Sequence, residues 1–469
     1  MNLIKNDLWY SKKICTLMHY ITLVILGGLT WGILFWVWGD TWGLRGDSFR
    51  LASLGVIAWA TGQILQQFTT LPPILAALLT GIIARHLDFV DMRRFVYIDS
   101  FLRKIYPVII LGKGSLGWDV NYMRQNWRQI ATLGALPWSI EVAFVAISTH
   151  YLLGFPWIWG FLLGSVYASV SCPVVMPSVL KHAKNASGTV NWPQLICTAG
   201  GLDTALSVGI FGVIFSFMFY ETDYSYRILK AALALFLGVS LGVAWGSLAK
   251  FVPHSKDYYV TELRVLFVLV GGLFCNFFTG AVGWGGTGGV AVLACNATAA
   301  TYWAKDEWKL NQNPASTVYR VLWSFCEPVL FAYTGTFFIW HSSISKTLLI
   351  GLGVLFACLT VRLTVTFITC WNLKFKEKIF VCCTWIPKTI VEAVLCPLAI
   401  EALIMSDSPV DSQELVYAED LIRLIVQAIL VTTPIGFLLT NYLGPTLLHC
   451  DQGRDESKDN KFRRESSGI

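Results

Sequence analysis

Long apolar runs separated by short polar loops recur along nearly the whole chain, from about residue 14 to residue 443. Of the 469 residues, 55% are hydrophobic and only 14% are charged, whereas soluble domains are about 25% charged. Runs of this length are typical of helices that cross a bilayer, because a helix satisfies its backbone polar groups internally. The sequence therefore predicts an all-α polytopic membrane protein with about 14 transmembrane helices.

The polar segments divide the chain into three parts. We expect a short cytoplasmic N-terminus (residues 1–13), a transmembrane domain (14–447) and a charged cytoplasmic tail (448–469). Lys and Arg are more frequent in the loops on the side of the termini, and the positive-inside rule therefore places both termini in the cytoplasm. One loop opposes this orientation, because it holds a basic group of four residues, Arg93, Arg94, Arg103 and Lys104.

The remaining composition argues against several classes of function. The net charge of +6 is spread over loops, so we expect contact with the lipid bilayer and no nucleic-acid partner. The 12 cysteines are scattered through apolar segments without metal-ligand spacing, as expected of small buried side chains. The sequence also lacks a nucleotide-binding loop and a nucleophile paired with a base. We therefore expect no enzyme activity, no cofactor and no permanent metal site.

Asp203 lies near the middle of an apolar segment, residues 192–220, that is long enough to span the bilayer. A charged side chain at that depth costs at least about 2.5 kcal/mol, so it must face protein or water. Its neighbours on the same helical face, Ala199, Gly200 and Ser207, are small and allow another helix to approach closely. We interpret Asp203 as an ion or proton site; the alternative is a structural carboxylate bonded across helices.

Two halves of seven spans each would have opposite orientations, because seven is odd, and such inverted repeats are typical of secondary transporters. Polar or proline-containing interruptions fall in spans six, thirteen and fourteen, at residues 171–177, 385–388 and 432–434. The first contains Ser171 and Pro173. Proline inside a span leaves half-helix ends in the membrane, where transporters coordinate ions. The sequence thus predicts discontinuous crossing helices; kinked but continuous helices are the alternative.

Further ionisable residues lie deep in the predicted spans. Glu141 and Arg362 have opposite signs in equivalent spans, so we expect them to form a buried structural ion pair. Lys388 is the candidate counter-charge of the central aspartate, and Glu392, four residues later on the same helical face, competes for it. Glu327 is another possible accessory carboxylate. For both Glu327 and Glu392 a solvated or cavity-facing position is the alternative.

Four stretches resemble the NHA-type sodium/proton antiporters, the animal branch of the second cation/proton antiporter family. They are residues 71–81, residues 164–177, Pro387-Lys388 with residues 376–380 before it, and residues 433–436. The resemblance covers about residues 71–447. It implies the NhaA-like antiporter fold, a homodimer whose core domain moves against a dimerisation domain, and exchange of Na⁺ or Li⁺ for H⁺. We expect such a protein in the plasma membrane rather than in an organelle.

The resemblance assigns roles to four charged residues. Asp203 matches the first aspartate of the family's adjacent pair, and Lys388 matches the lysine that neutralises it. Glu141 and Arg362 match a core salt bridge. By this resemblance Asp203 and Lys388 belong to the ion-binding site.

The chain departs from the family pattern at Thr204, which stands where the principal ion ligand and proton carrier is an aspartate. A hydroxyl coordinates Na⁺ only weakly and carries no proton near neutral pH. Groups around Ser171 and Pro173 would supply the other neutral ligands. Glu327 and Glu392 stand where the resemblance leads us to expect glutamine.

Three hypotheses follow from this pattern. In the first, the protein is a monovalent cation/proton antiporter that works by alternating access around Asp203 with an altered site. In the second, it is a transport-inactive relative that acts through association with other membrane proteins, because the expected carboxylate is absent. A channel or a carrier for another solute is the third.

Overall fold

The computed structural model describes residues 2–183, 190–220, 224–305, 308, 313–339, 344–406 and 412–448. Regular structure in these ranges is entirely helical, with two 3₁₀ turns, Gly39–Trp42 and Met92–Phe95, and 18 α-helices. The first nine are α1 (Asn2–Trp38), α2 (Asp47–Thr69), α3 (Ile74–His86), α4 (Val96–Ser115), α5 (Val120–Gln125), α6 (Trp127–Leu153), α7 (Trp157–Tyr167), α8 (Cys172–Ala183) and α9 (Trp192–Phe219). The others are α10 (Tyr224–Leu248), α11 (Val260–Ala281), α12 (Thr287–Trp303), α13 (Pro314–Thr336), α14 (Ile344–Thr369), α15 (Phe375–Thr384), α16 (Ile390–Leu395), α17 (Leu398–Met405) and α18 (Gln413–Leu448). The predicted all-α class is confirmed.

The lengths and composition of the helices are those of a multi-pass membrane protein. Seven helical stretches in the described ranges are long and apolar enough to cross a bilayer: Leu17–Trp42, Trp127–Leu153, Trp157–Ala183, Trp192–Phe219, Val260–Ala281, Thr347–Thr369 and Gln413–Leu448. The charged tail predicted after residue 447 falls almost wholly outside the described residues.

The chain divides into two compact units, residues 1–57 and residues 58–469. In the first unit, the indole nitrogen of Trp31 donates to the carbonyl of Trp42 at 2.9 Å. The Trp31 ring also lies 6.0 Å from that of Phe49, centroid to centroid. Helix α1 begins at Asn2, so the residues predicted as a separate N-terminal segment continue this helix.

In the second unit, seven helices, α6, α7, α8, α9, α14, α15 and α18, pack around one another. Their apolar contacts include the buried side chains of Leu133, Val175, Leu195 and Phe380. Helices α3, α4 and α10 to α13 form a second packed group, and the short helix α16 contacts members of both. This packing places α16 and the chain before it deep inside the unit.

Two interruptions of helical structure lie inside the first group. Helix α7 ends at Tyr167 and α8 begins at Cys172, so the first interruption precedes the predicted range of 171–177 rather than filling it. The physical reason is that Pro173 stands at the second position of α8, where no intrahelical N–H bond is lost. The second interruption, residues 385–389, falls where the sequence predicts it.

The interruption predicted at residues 432–434 is wrong, because α18 is continuous from Gln413 to Leu448. Pro434 removes one backbone hydrogen bond from this helix, but it lies in the interior of a long helix that packs against α8, α14 and α15. A single proline therefore does not predict a broken membrane helix here.

A second correction concerns Arg103, which the sequence places in a loop. Helix α4 begins at Val96, and Arg103 lies within it, 1% exposed. Because a carboxylate and carbonyls of other helices surround this guanidinium, Arg103 is an interior residue and not part of a loop, and it leaves the group of four basic residues that oppose the predicted orientation.

Candidate functional site

The two interruptions, residues 168–171 and 385–389, meet inside the second unit, and their meeting point is called the crossing below. The amide of Ser171 donates to the carbonyl of Pro387 at 2.9 Å, and the hydroxyl groups of Thr389 and Ser171 hydrogen-bond to each other. Unpaired backbone groups are costly where water is scarce, and each extended segment provides a hydrogen-bond partner for a backbone group of the other.

Charged side chains from other segments contact the backbone of the half-helix ends at the first interruption. The carbonyls of Tyr167 and Ala168, at the C-terminal end of α7, accept hydrogen bonds from Lys388 Nζ and Arg362 Nη1. Asp203 Oδ1 accepts the N–H of Val170, two residues before α8, at 2.9 Å. Cations at a helix C-terminus and an anion near a helix N-terminus are the arrangement that the helix dipole favours.

Four charged side chains form one continuous network around this point. Arg362 donates to Glu141 and, at 2.7 Å, to Asp203 Oδ2. The ammonium of Lys388 lies 2.8 Å from Glu141 Oε1. None of the four residues is more than 1% exposed. Two cations thus compensate two carboxylates, and the network is neutral as it stands.

This network changes two of the predicted roles. The predicted ion pair of Glu141 with Arg362 is present, but it is not isolated, because the planar guanidinium also reaches Asp203. The direct pairing predicted between Lys388 and Asp203 is wrong. Lys388 contacts Glu141, and Asp203 takes Arg362 as its counter-charge.

Helix α18 holds the second interruption in place. The amide of Lys388 donates to Thr432 Oγ1, and Thr433 Oγ1 donates to the carbonyl of Lys388, both at 3.1 Å. A Cβ atom added to Gly436 would overlap the ring of Pro387, so glycine permits this close approach. The polar pair before Pro434, predicted to mark a break, instead supports the break of a neighbouring helix.

The neutral ligands predicted from the sequence do not all lie at the crossing. Ser171 is buried there, with its hydroxyl on Thr389. Thr204 follows Asp203 on α9 and is partly exposed. The ring of Pro173 is exposed at the start of α8 and provides no ligand atom to the crossing.

The two accessory carboxylates occupy different environments. Glu392 is 1% exposed in the first turn of α16, and its Oε2 accepts the amide of Thr389 at 2.9 Å. Glu327 is only partly buried on α13, where its carboxylate accepts from Trp323 of the same helix at 2.9 Å. Glu392 therefore lies beside the crossing, whereas Glu327 makes no ion pair with the four-residue network in the described part of the chain.

A second buried ionic cluster escaped the sequence reasoning. Arg103 Nε lies 2.9 Å from Asp99 Oδ2 and 2.7 Å from Glu401 Oε1. Its Nη1 donates to the carbonyl of Ala393 on α16 at 2.7 Å, and its Nη2 to Thr334 Oγ1 at 3.2 Å. The i, i+4 spacing of Asp99 and Arg103 could have predicted their ion pair from the sequence. No local pattern could have predicted Glu401 as a partner, because it lies almost 300 residues away in the sequence.

The fold is shared with a solved membrane-protein structure. The structure is similar to that of the sodium/proton antiporter MjNhaP1 from Methanocaldococcus jannaschii, with a TM-score of 0.69 and 17% sequence identity. The match covers 85% of this chain and 96% of that one. At this identity the likeness shows the fold alone.

Sequence relatives lead to the family. Residues 51–443 match the family described as sodium/hydrogen exchanger, transmembrane. The chain is 29% identical to sodium/hydrogen exchanger 9B1 of Homo sapiens, over 92% of this chain and 85% of that protein. It is 28% identical to sodium/hydrogen exchanger 9B2 of Homo sapiens, over 95% and 83% of the two chains. The chain belongs to the sodium/hydrogen exchanger family and is an integral, multi-pass membrane protein.

Proposed function

We propose that this protein is a secondary active antiporter that exchanges a monovalent cation, Na⁺ or Li⁺, for a proton at the crossing of the two interrupted helices. The observation that carries the proposal is a buried carboxylate, Asp203, at the point where two half-helix ends meet. Half-helix ends supply oriented backbone groups to a bound ion, and a carboxylate binds either a cation or a proton.

Competition at one site is the physical basis of the exchange. A carboxylate that holds Na⁺ cannot be protonated at the same time, so either ion displaces the other. If the crossing opens to the two sides of the membrane in turn, this competition becomes antiport by alternating access.

The arrangement of helices supports two inverted seven-helix repeats within about 14 spans. Helices α6 and α14 pack together and carry Glu141 and Arg362. Each is followed by an interrupted helix, at residues 168–171 and 385–389, and then by a long helix, α9 or α18. Equivalent elements on the two sides of one crossing are what inverted repeats produce.

The proposal includes the setting of the exchange. Relatives named sodium/hydrogen exchangers make Na⁺ and H⁺ the first ions to test. The assembly proposed is a homodimer in the plasma membrane with both termini in the cytoplasm.

The test is ion exchange in vesicles that contain only this protein. An outward Na⁺ or Li⁺ gradient should acidify the lumen and an inward gradient should alkalinise it, as read by a trapped pH dye. We expect Asp203→Asn to abolish this signal in vesicles with the same protein content. Exchange that is equal in wild type and Asp203→Asn would refute the assignment of the site.

One observation favours the second candidate, a transport-inactive protein that associates with other membrane proteins. Both oxygens of Asp203 already have partners, Val170 N–H and Arg362, and the four-residue network is neutral without a bound ion. Under this alternative, wild type and Asp203→Asn are equally silent in vesicles, although both fold.

A further inference from the structure

We propose that Glu392 is the carboxylate that exchanges the cation for the proton, so that it takes the place of the carboxylate missing at Thr204. This inference rests on the proposed function and names the residue of that site on which the transported charge resides. It gives Asp203 the separate task of orienting Arg362 and the start of α8 around the bound ion.

The geometry of Glu392 distinguishes it from the other buried carboxylates at the crossing. Asp203 and Glu141 each contact at least one cationic side chain. Within the described part of the chain Glu392 makes no ion pair, and its carboxylate accepts one hydrogen bond, at Oε2 from the amide of Thr389. Its Oε1 is buried without a hydrogen-bond partner among the described residues. An oxygen of this kind is free to bind a cation or a proton.

The charges around the crossing point to the same residue. Arg362 and Lys388 are compensated by Glu141 and Asp203, and Glu392 adds one negative charge that nothing in the network offsets. A buried carboxylate without a counter-charge is costly, so it is either protonated or bound to a cation. Exchange of one Na⁺ for one H⁺ at this oxygen keeps the site neutral in both states.

The cations near Glu392 are already held by other groups. Lys388 is bound to Glu141 and to the carbonyl of Tyr167. Arg103, which reaches α16 from α4, is bound to carbonyls of that helix and to its own two carboxylates. The titratable or charged groups that interact with Glu392 from its own and neighbouring segments are Lys388, Asp203, Tyr167 and Cys396. Helices α13 and α18 contact the backbone next to Glu392, at Ala393 and Lys388, through uncharged hydroxyls, those of Thr334, Thr432 and Thr433.

Hydrogen bonds link Glu392 to the crossing. Its Oε2 accepts the amide of Thr389, and the hydroxyl of Thr389 bonds to that of Ser171. The hydroxyl oxygens and the carboxylate are hard oxygen ligands of the type that alkali cations take. A cation on Glu392 would therefore lie beside both interrupted helices. At this position it becomes accessible from whichever side of the membrane the crossing opens to.

Glu392 also has a possible structural role, because its Oε2 caps α16. Glu392→Gln separates the two roles: the amide oxygen can still accept the Thr389 amide, but the side chain has no charge and carries no exchangeable proton near neutral pH. Glu327→Gln is the matched control, since it makes the same chemical change at a partly exposed carboxylate away from the network.

The experiment has two readouts on purified protein. The first is the increase in Tm that Na⁺ or Li⁺ produces in detergent, which reports binding without transport. The second is cation-driven proton movement in vesicles. We expect Glu392→Gln to keep the folded yield and the Tm in a cation-free buffer, but to lose both the cation-dependent increase and the exchange. Glu327→Gln should retain both.

The outcomes separate this inference from the proposed function. A Glu392→Gln protein that binds and exchanges cations like wild type would overturn the inference and leave the antiporter intact. Wild type that is stabilised by Na⁺ through Glu392 but moves no protons would support the site and overturn the proposed function. The inference would also be overturned if neither Na⁺ nor Li⁺ raised the Tm of wild type above the Tm measured with the same concentration of K⁺.

Discussion

Ser171 and Pro387, 216 positions apart in the sequence, are joined by a backbone hydrogen bond of 2.9 Å between the two interrupted segments. Each segment has lost its intrahelical bonds, and this contact recovers one donor and one acceptor. The two interruptions therefore form one structural feature, and a displacement of either segment changes the surroundings of Asp203 and Glu392 together.

Arg362→Ala should destabilise the protein strongly, because it leaves Glu141 with one cation and Asp203 with none. Removing one partner of a buried ion pair costs about 3–5 kcal/mol. We expect a large fall in Tm and in monodisperse yield in detergent. The control is Arg423→Ala, which breaks partly exposed pairs with Glu419 and Asp420 and should cost about 1 kcal/mol or less. Equal Tm values for the two variants would contradict the claim that the buried network stabilises the protein more than the partly exposed pairs do.

Thr204→Asp tests where the exchanged charge resides. In wild type, one carboxylate at Glu392 predicts exchange of one Na⁺ for one H⁺ without net charge movement. The additional carboxylate introduces a second exchangeable proton, so exchange should become sensitive to an imposed membrane potential. In the Glu392→Gln background, Thr204→Asp should restore exchange that is independent of the potential. The measurement is the proton flux in vesicles clamped by a K⁺ gradient with valinomycin.

Thr204→Asn is the control for this series, because it has the size of the aspartate without the charge. It should neither add potential dependence nor rescue Glu392→Gln. A silent Glu392→Gln, Thr204→Asp double variant that folds and keeps its Tm would show that the two positions do not serve one site.

Gly436→Ala should disturb the second interruption. The added methyl group would overlap the ring of Pro387, and overpacking of this kind costs about 1–3 kcal/mol. Gly353→Ala on α14 is the matched control, because nothing lies within 4 Å of its added Cβ, and replacing an open helical glycine stabilises by about 0.4–1 kcal/mol. We expect opposite shifts in Tm. A Gly436→Ala protein as stable as Gly353→Ala would mean that α18 can move away from the interruption without loss.

Arg103→Lys should lower the Tm even though the positive charge is kept. The guanidinium bonds to Asp99, Glu401, the Ala393 carbonyl and Thr334 at once. One ammonium group cannot reach all of these positions, because its donors lie on a single atom. Arg103→Ala should be less stable still, since it leaves two buried carboxylates unpaired. If Arg103→Lys matched wild type in Tm, charge alone and not the shape of the guanidinium would account for the cluster.

Much of the site could be predicted from single residues, because charge and proline are expensive inside a membrane. This reasoning placed five ionisable residues deep in the spans, and the structure buries all of them: Asp203, Glu141, Arg362, Lys388 and Glu392. It also predicted an interruption at residues 385–388, which the structure shows at 385–389. It failed for Pro434, since the cost of a proline depends on the neighbouring helices that satisfy the freed carbonyl. It also failed to find Glu401 as the partner of Arg103, because no local pattern links residues so far apart.

The sequence by itself determined that the chain is an all-α membrane protein with charged residues buried near interrupted helices. Apolar length and the cost of intramembrane charge are local properties, so they can be read without the fold. Only the tertiary structure decided which charges compensate one another. It paired Arg362 with both Glu141 and Asp203 and paired Lys388 with Glu141, and among the described residues it gave Glu392 no cationic partner. Pairing depends on distances of a few ångströms between helices, and these distances are fixed by packing that no single helix specifies.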